Sequence, residues 1–224
     1  MRLLMLNGNT NTAMTDWMAG RARVFYGDEV AVRAETAERG VAYIASRRDC
    51  ALAAGALVAS LEGRAETDQD AVLLACFGEP GLAAAREVCP VPVTGMLEAS
   101  VLSALQLGAR FSIVTPGRRW PRMIEDVLHE MGASRRCLGI SAVEIDDLAL
   151  PAQRDEARAR VQAAVADQQA RLAPDAIIVG GAAFACLAAE LNVAPGCRLV
   201  DSLDAALAQS LALMRLTRPR ASCN

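Results

Sequence analysis

The residue whose type and setting best suit chemistry is Cys76, which follows the apolar run 71–75 and precedes the segment 77–81, FGEPG. The amides of such a turn, with the positive end of a following helix, stabilise a thiolate. A thiolate here is able to act as a base or as a nucleophile. The alternative is a buried structural cysteine, the common state of a free thiol. A strand end followed by a turn favours the functional interpretation, with Phe77 and Gly78 as neighbours of the ligand.

Polar and small residues at other predicted strand ends are candidates for binding a ligand. Asn9 and Thr10 follow the first apolar run, and Thr115 follows the run 111–114. Their side chains offer donors for a carbonyl, a carboxylate or a ring amide, and they equally suit a turn or a helix cap. Gly181 and Ala182 follow the run 177–179 and offer backbone amides alone, which at a helix start are able to hold an anion.

Several other kinds of site are disfavoured by composition. The chain has one histidine, His129, and seven cysteines of which none are closely spaced, so neither a zinc site, nor a serine triad, nor a disulfide framework is expected. Of the remaining thiols, only Cys186 is considered as a second acid, and its position more than a helical turn beyond Gly181 favours the core.

Charge and hydropathy bound the partners and the compartment. A net charge of −3 and a pI near 5.3 argue against nucleic acid or an anionic membrane surface as partners. The sequence holds no apolar run long enough to span a bilayer and no secretory signal, and the free thiols favour a reducing compartment. We therefore expect a soluble, cytoplasmic protein that binds a small molecule.

Short apolar runs alternate with helical patterns along the chain, which is typical of a parallel sheet covered on both faces. Strands are predicted at 3–6, 71–75, 91–93, 111–114, 177–179 and 199–200, with weaker candidates at 29–34 and 139–143. Helices are predicted at 12–24, 46–62, 81–88, 97–107, 120–131, 152–171, 182–191 and 203–215, followed by a frayed tail.

The second half of the chain repeats the first. Residues 70–76 align with 175–181, and three strand ends recur in the same order at nearly constant offset. We predict two pseudo-symmetric, Rossmann-like α/β lobes: 1–95 with about 204–224, and 96–203. Ligands of open parallel sheets bind beyond the carboxyl ends of the strands, so the site is expected in the cleft between the lobes. In this alignment Gly181 takes the place of Cys76.

The segments NGNT at 7–10, ACFGEPGL at 75–82, PVTGMLEA at 92–99 and GARFSIVT at 108–115, with residues 175–187, resemble hydantoin racemase. This family lies within the aspartate/glutamate racemase superfamily, and the resemblance covers nearly the whole chain. It implies proton transfer, without a cofactor or a metal, at a carbon next to a carbonyl. It also implies one cysteine per lobe, and assembly into a homo-oligomer. The first-lobe cysteine is Cys76, whereas the second falls at Gly181. Gly8 replaces the proline usual in the first motif.

The glycine at 181 leaves three hypotheses open. The first is a racemase or isomerase that uses Cys76 on a hydantoin-like or amino-acid-derived substrate. The second is a single-cysteine reaction, such as the decarboxylation of an arylmalonate or the covalent isomerisation of maleate. The third is a catalytically silent binding protein. The substrate's side-chain pocket is expected near Phe77 and the loop 40–44.

Overall fold

The computed structural model describes residues 1–62, 68–144 and 154–217. They form two four-stranded parallel sheets, with strand orders β2-β1-β3-β4 and β6-β5-β7-β8. The two orders are the same when each strand of the first sheet is matched to the strand four places later. The strands are Arg2–Asn7 (β1), Ala31–Thr36 (β2), Ala71–Leu74 (β3), Val93–Gly95 (β4), Phe111–Pro116 (β5), Cys137–Val143 (β6), Ala176–Val179 (β7) and Arg198–Asp201 (β8).

Helices connect these strands and cover the sheets. The prediction of two related α/β halves with parallel sheets is confirmed, and both weak strand candidates are strands. The helices are Thr12–Tyr26 (α1), Arg47–Glu62 (α2), Leu82–Val88 (α3), Met96–Leu107 (α4), Trp120–Glu130 (α5), Arg154–Leu172 (α6) and Ser202–Thr217 (α7). The predicted start of α6 at 152 and the tail after 217 lie outside the described residues. No helix of the described part is both long and apolar enough to cross a bilayer.

Two helices pack on the sheet of the other half. Helix α4 follows β4 but contacts β7 and β8, whereas α7 follows β8 and contacts β3 and β4. The Tyr26 hydroxyl donates to the Leu207 carbonyl at 2.8 Å, and Arg21 forms a two-pronged ion pair with Asp204, so α7 is tied to α1. The lobe boundaries at 95/96 and about 203/204 stay a prediction.

Local structure differs from the prediction at two helix starts and one whole helix. Helix α1 is capped by Asn11, whose side chain accepts from the Met14 amide at 3.1 Å, so Thr10 is not the cap. Helix α3 begins at Leu82 because Gly81 takes a left-handed φ of 75°. The predicted helix 182–191 is wrong: the structure has two 3₁₀ turns, Ala182–Phe184 and Ala188–Glu190.

Candidate active site

Cys76 lies at the carboxyl end of β3, in a narrow cavity between the two sheets. The cavity volume is about 20 Å³, which is room for about one water molecule. The Cys76 residue is 8% exposed, so it is buried, and it is one of the residues that line this space. Six of the eight predicted site residues line the cavity: Asn9, Cys76, Phe77, Thr115, Gly181 and Ala182.

The turn after Cys76 aims backbone donors at the sulfur. The amides of Gly78 and Glu79 both donate hydrogen bonds to Sγ and lower the pKa of the thiol. Burial outweighs them and raises the pKa of Cys76 to about 12. The predicted amide donors are present, but the expected net stabilisation of the thiolate is not. Removing a thiolate from water costs more free energy than the two amide hydrogen bonds contribute.

Glu79 fixes this turn to the start of α4. Its carboxyl group accepts from the Glu98 amide through both oxygens, at 2.9 and 3.0 Å. The carboxyl sits where Gly95 has no side chain, since a Cβ at Gly95 would lie 1.7 Å from Glu79 Oε2. Burial raises the pKa of Glu79 to about 8. The buried Glu79 carboxyl, bound at the N-terminus of α4, therefore fixes the position of the turn that follows Cys76.

Two side chains at neighbouring strand ends offer polar atoms to the cavity. Thr115 Oγ1 is buried and has no hydrogen-bond partner among the residues that the structure describes. The Asn9 Nδ2 atom donates a weak hydrogen bond to the Met14 sulfur at 3.5 Å, while the Asn9 Oδ1 atom accepts from Asn7 Nδ2 and from the Asn11 amide. These groups are donors for an oxygen that gains negative charge.

Thr10 and Gly78 do not line the cavity. The Thr10 amide donates to the Val41 carbonyl at 2.9 Å and so pins the predicted loop 40–44, from which Tyr43 and Ile44 reach the cavity. Gly78 lines a different cleft, which Trp120 lines as well. Both residues therefore lie outside the cavity and support residues that line it.

Gly181 lines the second-lobe side of the cavity and carries no group that takes a proton. Its φ is +123°, and a Cβ there would lie 2.8 Å from the Cδ atom of Pro116. Its amide donates to Ser202 Oγ at 3.3 Å. Beside it, the register pairs Val179 with Asp201, whose Oδ1 atom accepts from two amides of α7 and whose carboxyl has its pKa raised by burial to about 6.

At the site the two lobes contact each other through two aromatic rings, each of which packs against a glycine of the other lobe. A Cβ at Gly180 would lie 2.2 Å from the Phe77 ring, and a Cβ at Gly78 would lie 2.4 Å from the Trp120 indole. Each ring thus rests on the backbone of the opposite lobe. Sequence analysis did not predict that Trp120, Met14 and Pro116 line the cavity. Nothing in the local sequence of an apolar residue indicates which lobe its side chain faces.

The cavity is uncharged. Asn9, Thr115, Tyr43 and the indole of Trp120 are its polar groups other than Cys76, and none of the described residues that line it is an aspartate, glutamate, lysine, arginine or histidine. The described residues contain no group of three or more metal-ligating side chains. A larger groove of about 810 Å³ runs between β2 and α2, and its described lining holds no thiol.

Comparison with known proteins agrees with this geometry. The profile of the family described as Asp/Glu/hydantoin racemase matches residues 3–210. The chain belongs to this family. The hydantoin racemase of Pseudomonas sp. (strain NS671) is 33% identical over 211 residues, which are 92% of this chain and 82% of that protein.

Two solved racemases have the same fold over nearly their whole length. The allantoin racemase from Klebsiella pneumoniae superposes with a TM-score of 0.89 at 30% identity, covering 96% of this chain and 88% of that one. The allantoin racemase from Pseudomonas fluorescens gives a TM-score of 0.90 at 26% identity and full coverage of both chains. As a member of the Asp/Glu/hydantoin racemase family, the protein is an isomerase.

Proposed function

We propose that this racemase acts on hydantoin-like cyclic ureides, by proton transfer at the ring carbon next to the carbonyl, with Cys76 as the acid and base. The observation that carries the proposal is the uncharged cavity at the Cys76 sulfur. A free amino acid brings a carboxylate and an ammonium group, and burying either without a partner is costly. A neutral ring brings carbonyl and N–H groups that Asn9 and Thr115 are able to meet.

In the forward step, Cys76 takes the proton from the ring carbon in its thiolate form, which is the minor form at neutral pH because burial raises the pKa of the thiol to about 12. The C–H bond breaks, an S–H bond forms, and the electron pair moves onto the carbonyl oxygen. Donors near that oxygen, Asn9 Nδ2 and Thr115 Oγ1, stabilise the enolate because they are in place before charge develops. All of these steps use groups of the chain and the substrate, so the reaction as proposed needs no cofactor and no metal.

The second face of the ring lies toward Gly181. Gly181 stands where the family resemblance implies a second thiol, so protonation from this side comes from a water molecule, and the hydroxide left behind takes the proton from the Cys76 thiol and restores the thiolate. The lack of a positioned acid typically costs about 10²–10⁴ in rate. We therefore expect slow racemisation, with solvent protons entering the product at the ring carbon.

The test is deuterium exchange. One enantiomer of a 5-substituted hydantoin in D₂O should gain deuterium at C5 and lose optical activity, and Cys76→Ala should reduce both to the uncatalysed rate. Cys89→Ala, which removes a thiol after α3 that does not line the cavity, is the matched control and should behave as the wild type. Exchange that survives Cys76→Ala would refute the assignment of the base.

The same lack of a second thiol favours one further candidate, a reaction that protonates one face only. Such an enzyme would release carbon dioxide from a disubstituted malonate and give one enantiomer. Release of carbon dioxide, or a mass adduct on Cys76, would replace the racemase proposal. Ligand-induced thermal stabilisation that survives Cys76→Ala, with no turnover, would identify a binding protein instead.

A further inference from the structure

Two thiols pack against the same glycine beside the active site. Gly78 donates its amide to the Cys76 sulfur, and the Cys50 sulfur would lie 3.7 Å from a Cβ added at Gly78. The thiols are close enough for a charge on Cys50 to raise the pKa of Cys76. No other cysteine that the structure describes lines the Cys76 cavity or the cleft at Cys50. Cys50 is therefore the thiol placed to react with the proposed acid and base.

Cys50 is reached from the surface, whereas Cys76 is buried. Cys50 lies near the start of α2 and lines the cleft between α2 and α5, which is open to solvent. It is half-buried, and Cys76 lies inside the protein at the end of β3. A small, neutral oxidant such as hydrogen peroxide therefore meets Cys50 first.

The groups around the two thiols favour the same order of reaction. Burial and the Asp49 carboxylate raise the pKa of Cys50, while the Arg47 guanidinium lowers it. Burial raises the pKa of Cys76 further, to about 12. Since peroxide reacts with the thiolate and needs access to it, both conditions assign the first oxidation to Cys50.

The start of α2 is the partner that is able to move. Its first turn is held by local hydrogen bonds, such as that from the Cys50 amide to the Ser46 carbonyl at 2.9 Å, and by an exposed ion pair between Arg47 and Asp126. An exposed ion pair contributes little to stability, so a shift of this turn toward Gly78 costs little. Cys76 follows a strand that is buried along its whole length and stays in place.

We infer that Cys50 is an oxidation site for peroxide and that Cys76 then closes a reversible disulfide with it, which stops the enzyme until a thiol reductant opens the bond. The effect on activity rests on the proposed function, whereas the formation of the bond does not. A transient disulfide of this kind is compatible with a reducing compartment. It also protects Cys76 from the irreversible sulfinic and sulfonic acids.

The reaction balances with hydrogen peroxide as the oxidant. The Cys50 thiolate attacks one peroxide oxygen, so an S–O bond forms, the O–O bond breaks and hydroxide leaves, which makes Cys50 a sulfenic acid. The Cys76 thiolate then attacks the Cys50 sulfur, so the S–S bond forms, the S–O bond breaks and a second hydroxide leaves. Both hydroxides take up the protons that the thiols lost. Two thiols and one peroxide thus give a disulfide and two water molecules.

The test is oxidation of the full chain with hydrogen peroxide, followed by digestion without reduction and mass spectrometry. Racemisation of a 5-substituted hydantoin is measured before oxidation, after it, and after dithiothreitol. We expect a Cys50–Cys76 disulfide, loss of activity, and recovery on reduction. Cys50→Ser should form no bond to Cys76 and should lose activity at least about 10-fold more slowly, because peroxide reaches the buried thiol poorly. Cys89→Ser removes a thiol that lines neither space and should behave as the wild type.

The peptide map and the activity separate this inference from the proposed function. A Cys50–Cys76 disulfide in a protein that keeps its activity upholds the redox pair and refutes Cys76 as the acid and base. Inactivation without this disulfide, or inactivation that Cys50→Ser leaves as fast as before, overturns the pair. A wild type in which peroxide produces no such bond overturns it as well. Cys50→Ala repeats the comparison without a hydroxyl, so a folding defect of one variant does not decide the result.

Discussion

Placing a side chain at Gly181 tests the account of the second-lobe face most directly. The φ of +123° lies in a region that L-residues rarely adopt, and a Cβ there would approach Pro116 Cδ at 2.8 Å and Cγ at 3.0 Å. Backbone strain of this kind costs about 1–3 kcal/mol. Overpacking against a ring that cannot rotate away costs about another 1–3 kcal/mol.

We expect Gly181→Ala to lower the free energy of unfolding by about 2–6 kcal/mol, since the two penalties act together. For a chain of this size that corresponds to a Tm lower by about 4–24 °C. The assay is thermal unfolding followed by circular dichroism, supported by urea unfolding at 25 °C. Gly181→Cys should lose as much stability as Gly181→Ala, because the backbone and the Cβ set the cost.

Two further variants identify the cause. Gly55→Ala is the matched control, because Gly55 lies within α2 with nothing within 4 Å of an added Cβ, and it should stabilise by about 0.5–1 kcal/mol. Pro116→Ala in the Gly181→Ala background should recover the packing part of the loss and leave the strain. If Gly181→Ala melts within about 2 °C of the wild type, the reasoning on strain and contact is wrong.

Three other predictions follow from the groups around the thiol. Because burial raises the pKa of Cys76 to about 12, its alkylation by iodoacetamide, followed by mass spectrometry, should rise about tenfold per pH unit from pH 7 to 10; a plateau below pH 9 would contradict this. Gly95→Ala should displace the Glu79 carboxyl and destabilise the protein by about 2 kcal/mol or more in urea unfolding, while Gly20→Ala, with open space around it, should not. Burial raises the pKa of Glu79 from 4.5 to about 8, so its protonated carboxyl stabilises the fold fully below about pH 4.5 and this stabilisation is lost as the pH rises toward 8. Glu79→Gln should therefore flatten the dependence of the free energy of unfolding on pH between 4.5 and 8. A pH dependence that Glu79→Gln leaves unchanged would contradict a buried, protonated carboxyl.

The architecture was predictable because apolar runs and small residues at their ends are local signals. The runs 71–75 and 177–179 are each followed by a turn, and parallel pairing brings those turns to one edge of each sheet. The repeat added the relation between the halves. Together these patterns predict a ligand site at the strand ends around Cys76, and the structure has a cavity there.

The rest depends on contacts that sequence patterns do not encode. The segment 182–191 has helical composition, but its amides form 3₁₀ turns instead, and Cys186 takes a φ of 67°. The pKa of Cys76 depends on how completely the opposite lobe covers it. Trp120 was predicted as a helix residue, and only the packing of α5 shows that its ring crosses to Gly78.

The crossed rings at the lobe interface also bear on how such a protein tolerates recombination. The Phe77 ring packs where Gly180 has no side chain, and the Trp120 ring packs where Gly78 has none. Each half therefore contributes one aromatic ring and one glycine that contacts the ring of the other half. A chimera that exchanges one half for that of a relative inherits unmatched pairs unless all four positions agree. The halves are therefore expected to diverge in step at these positions, whatever happens on their outer surfaces.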